Sequence, residues 1–529
     1  MNRTEHALPL LSEYMKKVAR EFPDRPAFIY HDQRITYREF ANASERLARY
    51  LLTAGVKPGD RIAYIFTPRP EFFYLYMAAS QIGAIIVGMS TRHTPDEMRY
   101  ILKGSEASMI VTLATMYGID YQERLGQILP ECPSVKQIVV VDGPPVLEGA
   151  VAFEDTATLE YPEMAKSLAE RENQRGPDDG LLIVYTSGST GQPKGALMTH
   201  RNIIHMSLVL VGELGVLPED IWLNHLPMNH VAGATELGAS AIIAGSTQVL
   251  EGFAPDKALA VIEKYKVTVL GQVPTMYAME FALPDYGRYD LSSLRAAVIS
   301  GAPAPTELLR KMVETMVPVC YNCLGLTEVS GLITYTAAGA DLETLNQTVG
   351  KCAPEFEMKI VDQNRKPVPD GTPGEIAYRG TSVIKEYFKL PDATKAAIDE
   401  AGWLYSGDLG FIDDDGNLRL VGRAKEMYIT GGYNVYPPEI EDCLMRYPGV
   451  MMTACIGVPD PIQGEVGRAY IVPLPGVTLD AAEIQAFLEK HLADYKVPRQ
   501  YVFREMLPMT LLGKIEKKLL RQEIEDELK

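Results

Sequence analysis

A chain of 529 residues, 47% hydrophobic and 23% charged, has the make-up of a soluble globular protein and is too long for one ordinary domain. Its formal charge of −18 excludes a broad nucleic-acid surface, so an anionic substrate must meet local positive charge. Met1–Arg20 has no apolar signal-peptide core and Glu527-Leu528-Lys529 is no targeting tripeptide, so a cytoplasmic location is expected.

In chain order, Thr36-x-x-Glu39 is a capping box opening a helix that turns Leu47, Tyr50 and Leu51 inward. Arg61–Phe66 reads as a strand. The charge-free run Phe72–Thr91 has the length of a membrane span, but Ser80, Gln81 and Gly83 interrupt it. It reads better as a buried helix running into a strand at Ala84–Val87, with no integral membrane segment. Thr94-Pro95-Asp96-Glu97 is a second capping box with proline at the first helical position. Val135–Val141 is another β-rich run. Strands separated by helices predict a mainly parallel sheet covered on both faces.

Tyr185-Thr186-Ser187-Gly188-Ser189-Thr190-Gly191-Gln192-Pro193-Lys194-Gly195 follows the apolar run Leu181–Tyr185. A glycine-rich turn after a strand gathers backbone N–H groups around phosphate oxygens, and the Ser/Thr hydroxyls and Lys194 strengthen that reading. It is not a Walker A loop, because Pro193 precedes the lysine and Gly195 follows it. Thr199-His200-Arg201-Asn202 then leads into a helix. Strands are expected at Val267–Leu270 and Ala296–Ser300.

From about residue 349 to 422 short strands with Gly, Pro and Asp turns predict a small β-rich subdomain, with strands at Met358–Val361, Gly374–Tyr378, Gly410–Ile412 and Leu418–Val421. A domain boundary is placed at Arg423–Lys425, dividing the chain into 1–423 and 424–529. The tail is α+β, with strands near Met451–Gly457 and Arg468–Pro473. Its helix Ala481–Leu492 sets Ile484, Phe487, Leu488 and Leu492 on one face. Cys320-x-x-Cys323 has no second pair or histidines at zinc spacing, so it reads as core thiols.

The order of the downstream motifs says more than any one of them. They are Leu226-Pro227-Met228-Asn229-His230, Ser300-Gly301-Ala302-Pro303, Leu324-Gly325-Leu326-Thr327-Glu328 and Trp403-Leu404-Tyr405-Ser406-Gly407-Asp408. Gly422-Arg423-Ala424-Lys425-Glu426, Gly431-Gly432-Tyr433-Asn434 and Gly513-Lys514-Ile515-Glu516 complete the series. This succession resembles the acyl-adenylate-forming superfamily, and within it the AMP-forming acyl-CoA synthetases, over nearly the whole chain.

The resemblance implies an α/β fold with a large N-terminal domain and a small mobile α+β C-terminal domain. It implies a two-step reaction: a carboxylic acid attacks the α-phosphorus of ATP, pyrophosphate leaves, and coenzyme A takes the acyl group. On this reading Thr186, Ser187, Gly188, Ser189, Thr190, Gly191 and Lys194 hold the β and γ phosphates. Glu328 holds Mg²⁺ and Thr327 contacts the α-phosphate. Gly301, Ala302, Pro303, Leu324 and Gly325 flank adenine, and Asp408 and Arg423 hold the ribose. Lys514 bridges carboxylate and α-phosphate, Lys425 is the hinge, and Gly431, Gly432 and Tyr433 line the pantetheine path. His230, Val231, Ala232, Gly233 and Glu236 border the acyl pocket, where Glu236 is unexpected. His200, His205 and His225 read as structural.

Three positions depart from the family pattern. Leu324 stands where an aromatic residue usually stacks on adenine, Asn229 stands at an often aromatic place, and Ser406 replaces threonine. The expected partners are a small carboxylic acid, ATP and coenzyme A, with no nucleic acid and a monomer or homodimer. Three alternatives stay open: loading of a separate carrier protein, since no carrier domain follows Lys529; luciferase-like oxygenation; and a non-catalytic nucleotide-binding protein.

Overall fold

The computed structural model of the chain describes residues 3–158, 160–186, 192–510 and 513–527. Two large sheets dominate the first four hundred residues, one of eight strands and one of nine. In the first, Arg61–Ile65, Ile85–Met89, Met109–Leu113 and Gln137–Val141 run parallel. These are short, almost continuously buried apolar runs, as strands covered on both faces must be. In the second, Thr247–Leu250, Ile221–Asn224, Val269–Gln272, Ala296–Ser300 and Cys320–Leu326 are parallel neighbours.

The charge-free run resolves into the helix Pro70–Ile82, closed by Gly83 in the left-handed region, and the strand Ile85–Met89. Every residue of that helix except Glu71 and Tyr74 is buried. It is sandwiched between the sheets: Phe73 stacks on Phe28 of the nine-stranded sheet at 4.7 Å, and Phe72 packs on Tyr64 of the eight-stranded one at 5.3 Å. A helix enclosed in this way has no polar face to show, which accounts for its composition. No helix among the described residues is long and apolar enough to cross a membrane.

Both predicted capping boxes form, Thr36 with Glu39 and Thr94 with Glu97, and Thr199 with Asn202 makes a third. The glycine-rich segment differs from a strand–turn–helix motif. Gly180–Thr186 pairs antiparallel with Lys194–Thr199, and the helix begins only at His200. The strands on either side of the glycine-rich segment are therefore antiparallel partners, paired as far as Thr186 with Lys194.

The four-stranded sheet of Glu357–Val361, Gly374–Arg379, Leu404–Ile412 and Leu418–Arg423 occupies the predicted β-rich region. Its first face shares one core with the nine-stranded sheet, since Ile376 and Tyr378 cluster with Met206 and Tyr335. The strand predicted at Gly410–Ile412 begins at Leu404, so Asp408 lies within a strand, beside a register shift, rather than in a turn. After it, residues from Tyr428 onward form a five-stranded sheet with two cores of their own. One core holds Val435, Ile440, Leu444, Ile484 and Leu488; the other holds Val458, Tyr470, Leu507 and Leu520. Phe487 and Leu492, predicted inward, pack only at the margin. All six cysteines are free thiols, and burial pushes Cys320 up to about 12.

Candidate active site

The ends of parallel strands place the site. Backbone groups that the ladder no longer uses, and loops free to vary, meet at the carboxyl ends of strands in open α/β sheets. At those ends stand Leu226–His230 after Ile221–Asn224, Val273 after Val269–Gln272, Gly301–Pro303 after Ala296–Ser300, and Thr327-Glu328 after Cys320–Leu326. The eight-stranded sheet reaches the same place. Tyr64 Oη donates to Met228 O at 2.7 Å, and Gly88 has no Cβ because one would lie 2.7 Å from Asn229 Cα. The two sheets thus meet along Leu226–His230.

From the hairpin come Thr186 and Lys194, paired across its base. Ser187, Gly188, Ser189, Thr190 and Gly191 lie outside the described residues. The short edge strand Glu386–Tyr387 pairs with Lys194–Thr199 and carries a residue that the sequence motifs did not single out. Tyr387 Oη donates to Glu328 Oε1 at 2.7 Å, while Lys194 Nζ lies 5.2 Å from the centre of the same ring. Tyr387 therefore couples the hairpin lysine to the Glu328 carboxylate. Glu328 sits on a single 3-10 turn with Thr327, and Ser330 closes that turn in the left-handed region.

Asp408 is buried and ion-paired to Arg423, Nε to Oδ1 at 2.9 Å, across the pair of strands that carries them. Burial raises the Asp408 carboxyl, against the opposing pull of Arg423, and Glu328 and Glu426 add to the rise. Arg423 keeps most of its side-chain surface exposed.

Lys514 reaches this cluster from the C-terminal module. A Cβ on Gly301 would lie 3.1 Å from Lys514 Cε, and Gly301 has φ +87, so the glycine leaves the lysine its path. Gly513 has φ +69 and rests on helix Pro274–Phe281, where a Cβ would collide with Thr275 Oγ1. Burial lowers the Lys514 ammonium below its ordinary value, Arg423 lowers it further, and Glu236 and Asp408 oppose the fall.

His230 faces the lysine. Burial, aided by the Lys514 charge, lowers its pKa to about 3, so the ring is neutral at physiological pH. Its Nδ1 accepts from the Ala232 N–H at 3.2 Å, which leaves Nε2 to carry the proton. The helix after it is wound as a π-helix over Ala232–Ala239, a form that recurs at functional sites. Ala232 and Glu236 face an internal cavity. Val231 and Gly233 do not. Val231 packs in the core beside the eight-stranded sheet, and a Cβ on Gly233 would sit 2.5 Å from Pro227 O. Gly233 thus permits a close backbone contact, and neither residue lines this cavity. Burial raises Glu236 to about 7, although nearby Lys514 pulls it down.

Leu324 and Gly325 lie on the strand leading to Glu328, with Leu324 half-buried. Gly325 is required where the strand crosses Gly331, whose carbonyl would collide with a Cβ. Lys425, Gly431, Gly432 and Tyr433 are exposed on the far module, with Tyr433 stacked on Tyr495 at 4.6 Å, so the structure does not gather them with the rest. His200 and His205 are buried and hydrogen-bonded to Leu11 N and Ser382 Oγ. His225 is buried against Phe253. Among the described residues no group of three or more His, Cys, Asp and Glu side chains converges as a metal site.

This fold and this cluster define an adenylate-forming α/β protein with a separate lysine-bearing module. The family model described as "AMP-binding enzyme" matches residues 15–388, and "AMP-binding enzyme C-terminal domain" matches 439–514. The chain is 34% identical over 520 residues to a feruloyl-CoA synthase from Amycolatopsis sp, covering 97% of this chain and 98% of that protein. It is 33% identical over 515 residues to an indoleacetate–CoA ligase from Aromatoleum aromaticum, covering 97% and 98%. The structure of the anthranilate CoA ligase AuaEII in complex with anthranoyl-AMP superposes with a TM-score of 0.87 at 26% identity, covering 99% of each chain. The chain belongs to the AMP-binding enzyme family and, within it, to the acyl-CoA synthetases and ligases.

Proposed function

We propose that the cluster around Lys514 performs an ATP-dependent acid–CoA ligation, forming an acyl-AMP with release of pyrophosphate and then a thioester. The observation that carries this reading is the delivery of Lys514 over Gly301 to within the field of His230, Glu236 and Asp408. Attack of a carboxylate on a triphosphate brings two anions together, so the transition state needs a positive group fixed between them. A buried lysine beside a neutral histidine supplies that charge without a competing imidazolium. Lys194 and Thr186, with Ser187–Gly191, hold the departing phosphates. Asp408, fixed by Arg423, accepts from the ribose hydroxyls, while Gly301–Pro303, Leu324 and Gly325 bound the base.

Glu328 fits a Mg²⁺ ligand. One carboxylate oxygen is taken by Tyr387, and the other has no hydrogen bond among the described residues, as suits a hard cation that keeps several waters and takes one or two carboxylates plus phosphates. When bound, the ion would neutralise charge on the leaving pyrophosphate.

The C-terminal unit, divided from the first at 423/424, moves as a body about Lys425 between the two steps. Its independent cores support this reading, as does the distance of Gly431–Tyr433 from the cluster that receives Lys514. The protein works as a monomer or homodimer in the cytoplasm. A hydroxamate and pyrophosphate-release screen over fatty, aromatic, alicyclic and hydroxylated acids tests the activity. Coenzyme A-dependent release of AMP separates the ligase from a carrier-loading enzyme, and no pyrophosphate from any acid would refute adenylation.

A further inference from the structure

The cavity beside the π-helix has mostly aliphatic walls, interrupted by Ser300 and by three further polar side chains. Glu236 presents its carboxylate from the π-helix, Gln272 stands at the end of the strand Val269–Gln272, and Trp222 lies on the neighbouring strand. Each has bonding capacity left over. The Glu236 carboxylate makes no hydrogen bond among the described residues. Gln272 spends one amide N–H on Glu280 Oε1 at 2.7 Å and leaves Oε1 without a partner. Trp222 Nε1–H is likewise unpartnered. Behind Gln272, Glu280 is fully buried with Oε2 unsatisfied, and burial raises it to about 8. An aliphatic pocket meant for a plain hydrocarbon would not keep such groups, since each unsatisfied buried polar atom costs about 1–3 kcal/mol.

The cavity is continuous with the chemistry. Val273, in its wall, is also 3.3 Å from the position a Gly301 Cβ would take, beneath Lys514. The Glu236 stem is held in place from the other side, where a Cβ on Gly331 would lie 3.0 Å from Glu236 Cγ. The carboxylate is thus a fixed feature of the acyl space.

The balance of donors and acceptors selects among ligands. An anionic substituent would face the Glu236 carboxylate. An ammonium would lie in the field of Lys514, which already reaches Glu236. A hydroxyl donates once to Glu236 or Gln272 and can accept from Trp222 Nε1–H. Resting on the acid–CoA ligase reading above, we infer that the acid carries a neutral hydroxyl group away from its carboxylate, bound by Glu236 with Gln272 and Trp222. Glu236 is a specificity-determining residue.

The test uses matched pairs of linear, alicyclic and aromatic acids, each with and without one hydroxyl at successive carbons, and reads kcat/KM from pyrophosphate release. The wild type is expected to favour at least one hydroxylated member by about tenfold or more, as sites built to bond a hydroxyl do. Glu236→Leu should bring that ratio close to one or reverse it, while Glu236→Gln, which keeps an acceptor of the same shape, should retain most of it. Thermal melts show whether each variant is folded; Gln272→Leu, which should also lower the ratio, substitutes for a Glu236→Leu that is not. Equal or greater activity on every plain acid, or an unchanged ratio in folded Glu236→Leu, would overturn the inference and leave the ligase reading standing. Absence of pyrophosphate release from all acids would sink both.

Discussion

The hairpin that carries Lys194 and the segment that carries Lys514 reach one cleft but are held in opposite ways. The hairpin strands are interior members of an eight-stranded sheet, with a parallel neighbour on one side and the Tyr387 strand on the other. Lys514 belongs to a module with its own cores and enters over two glycines, Gly301 and Gly513. A part embedded in a sheet cannot leave without breaking its ladder. A part that docks through glycine contacts can, and a lysine proposed to act in only one of two steps has reason to be held that way.

The sharpest way to break this contrast is Lys514→Ala. Formation of acyl-AMP should fall by at least about 10²–10³-fold, the cost of losing one preorganised donor, while thioester formation from supplied acyl-AMP persists. Equal loss in both half-reactions would mean that the lysine is not specific to one step. Next in size is the docking contact. Gly513→Ala forces a left-handed φ on alanine and a collision with Thr275 Oγ1, and a cost of about 1–3 kcal/mol predicts roughly ten- to hundredfold slower adenylation. Thr275→Ala in the same chain should restore part of that rate; no restoration would place the defect elsewhere.

On the fixed side the effects should be smaller. Tyr387→Phe keeps the ring beside Lys194 but removes one hydrogen bond from Glu328, so the Mg²⁺ concentration for half-maximal rate should rise about two- to tenfold. An unchanged Mg²⁺ dependence would separate Tyr387 from the metal. Leu324→Tyr should tighten ATP binding by a few-fold through stacking, read as a lower Kd by calorimetry; a weaker Kd would contradict the placement of adenine. Smallest is the pH effect on His230. Its lowered pKa of about 3 means the proton is gone well below neutrality, so ¹⁵N-histidine spectra should show an unchanging neutral ring from pH 5 to 8. Titration of that ring near 6.5 would show a cleft open to water.

Much of the framework was legible because the signals are local. Both predicted capping boxes need only residues three apart, and the enclosed helix Pro70–Ile82 announces itself by lacking charge. Asp408 was harder. Gly407-Asp408 looks like a turn, and only pairing with Arg423 makes it part of a strand. Tyr387 carried no signal, because its role arises from an edge strand that brings it between Lys194 and Glu328. That Val231 and Gly233 stay off the cavity carried no signal either, because it depends on how the segment packs between the sheets.

The sequence by itself determined the order of the motifs, and with it the family and the reaction class, because each motif's chemistry is written in consecutive residues. The tertiary structure decided which of those residues share a space. It brings Lys514 over Gly301, sets Glu236 against a cavity with Gln272, and leaves Gly431–Tyr433 outside. These relations depend on the crossing of sheets and the docking of one module on another, and on contacts between residues hundreds of positions apart. No local propensity encodes such contacts.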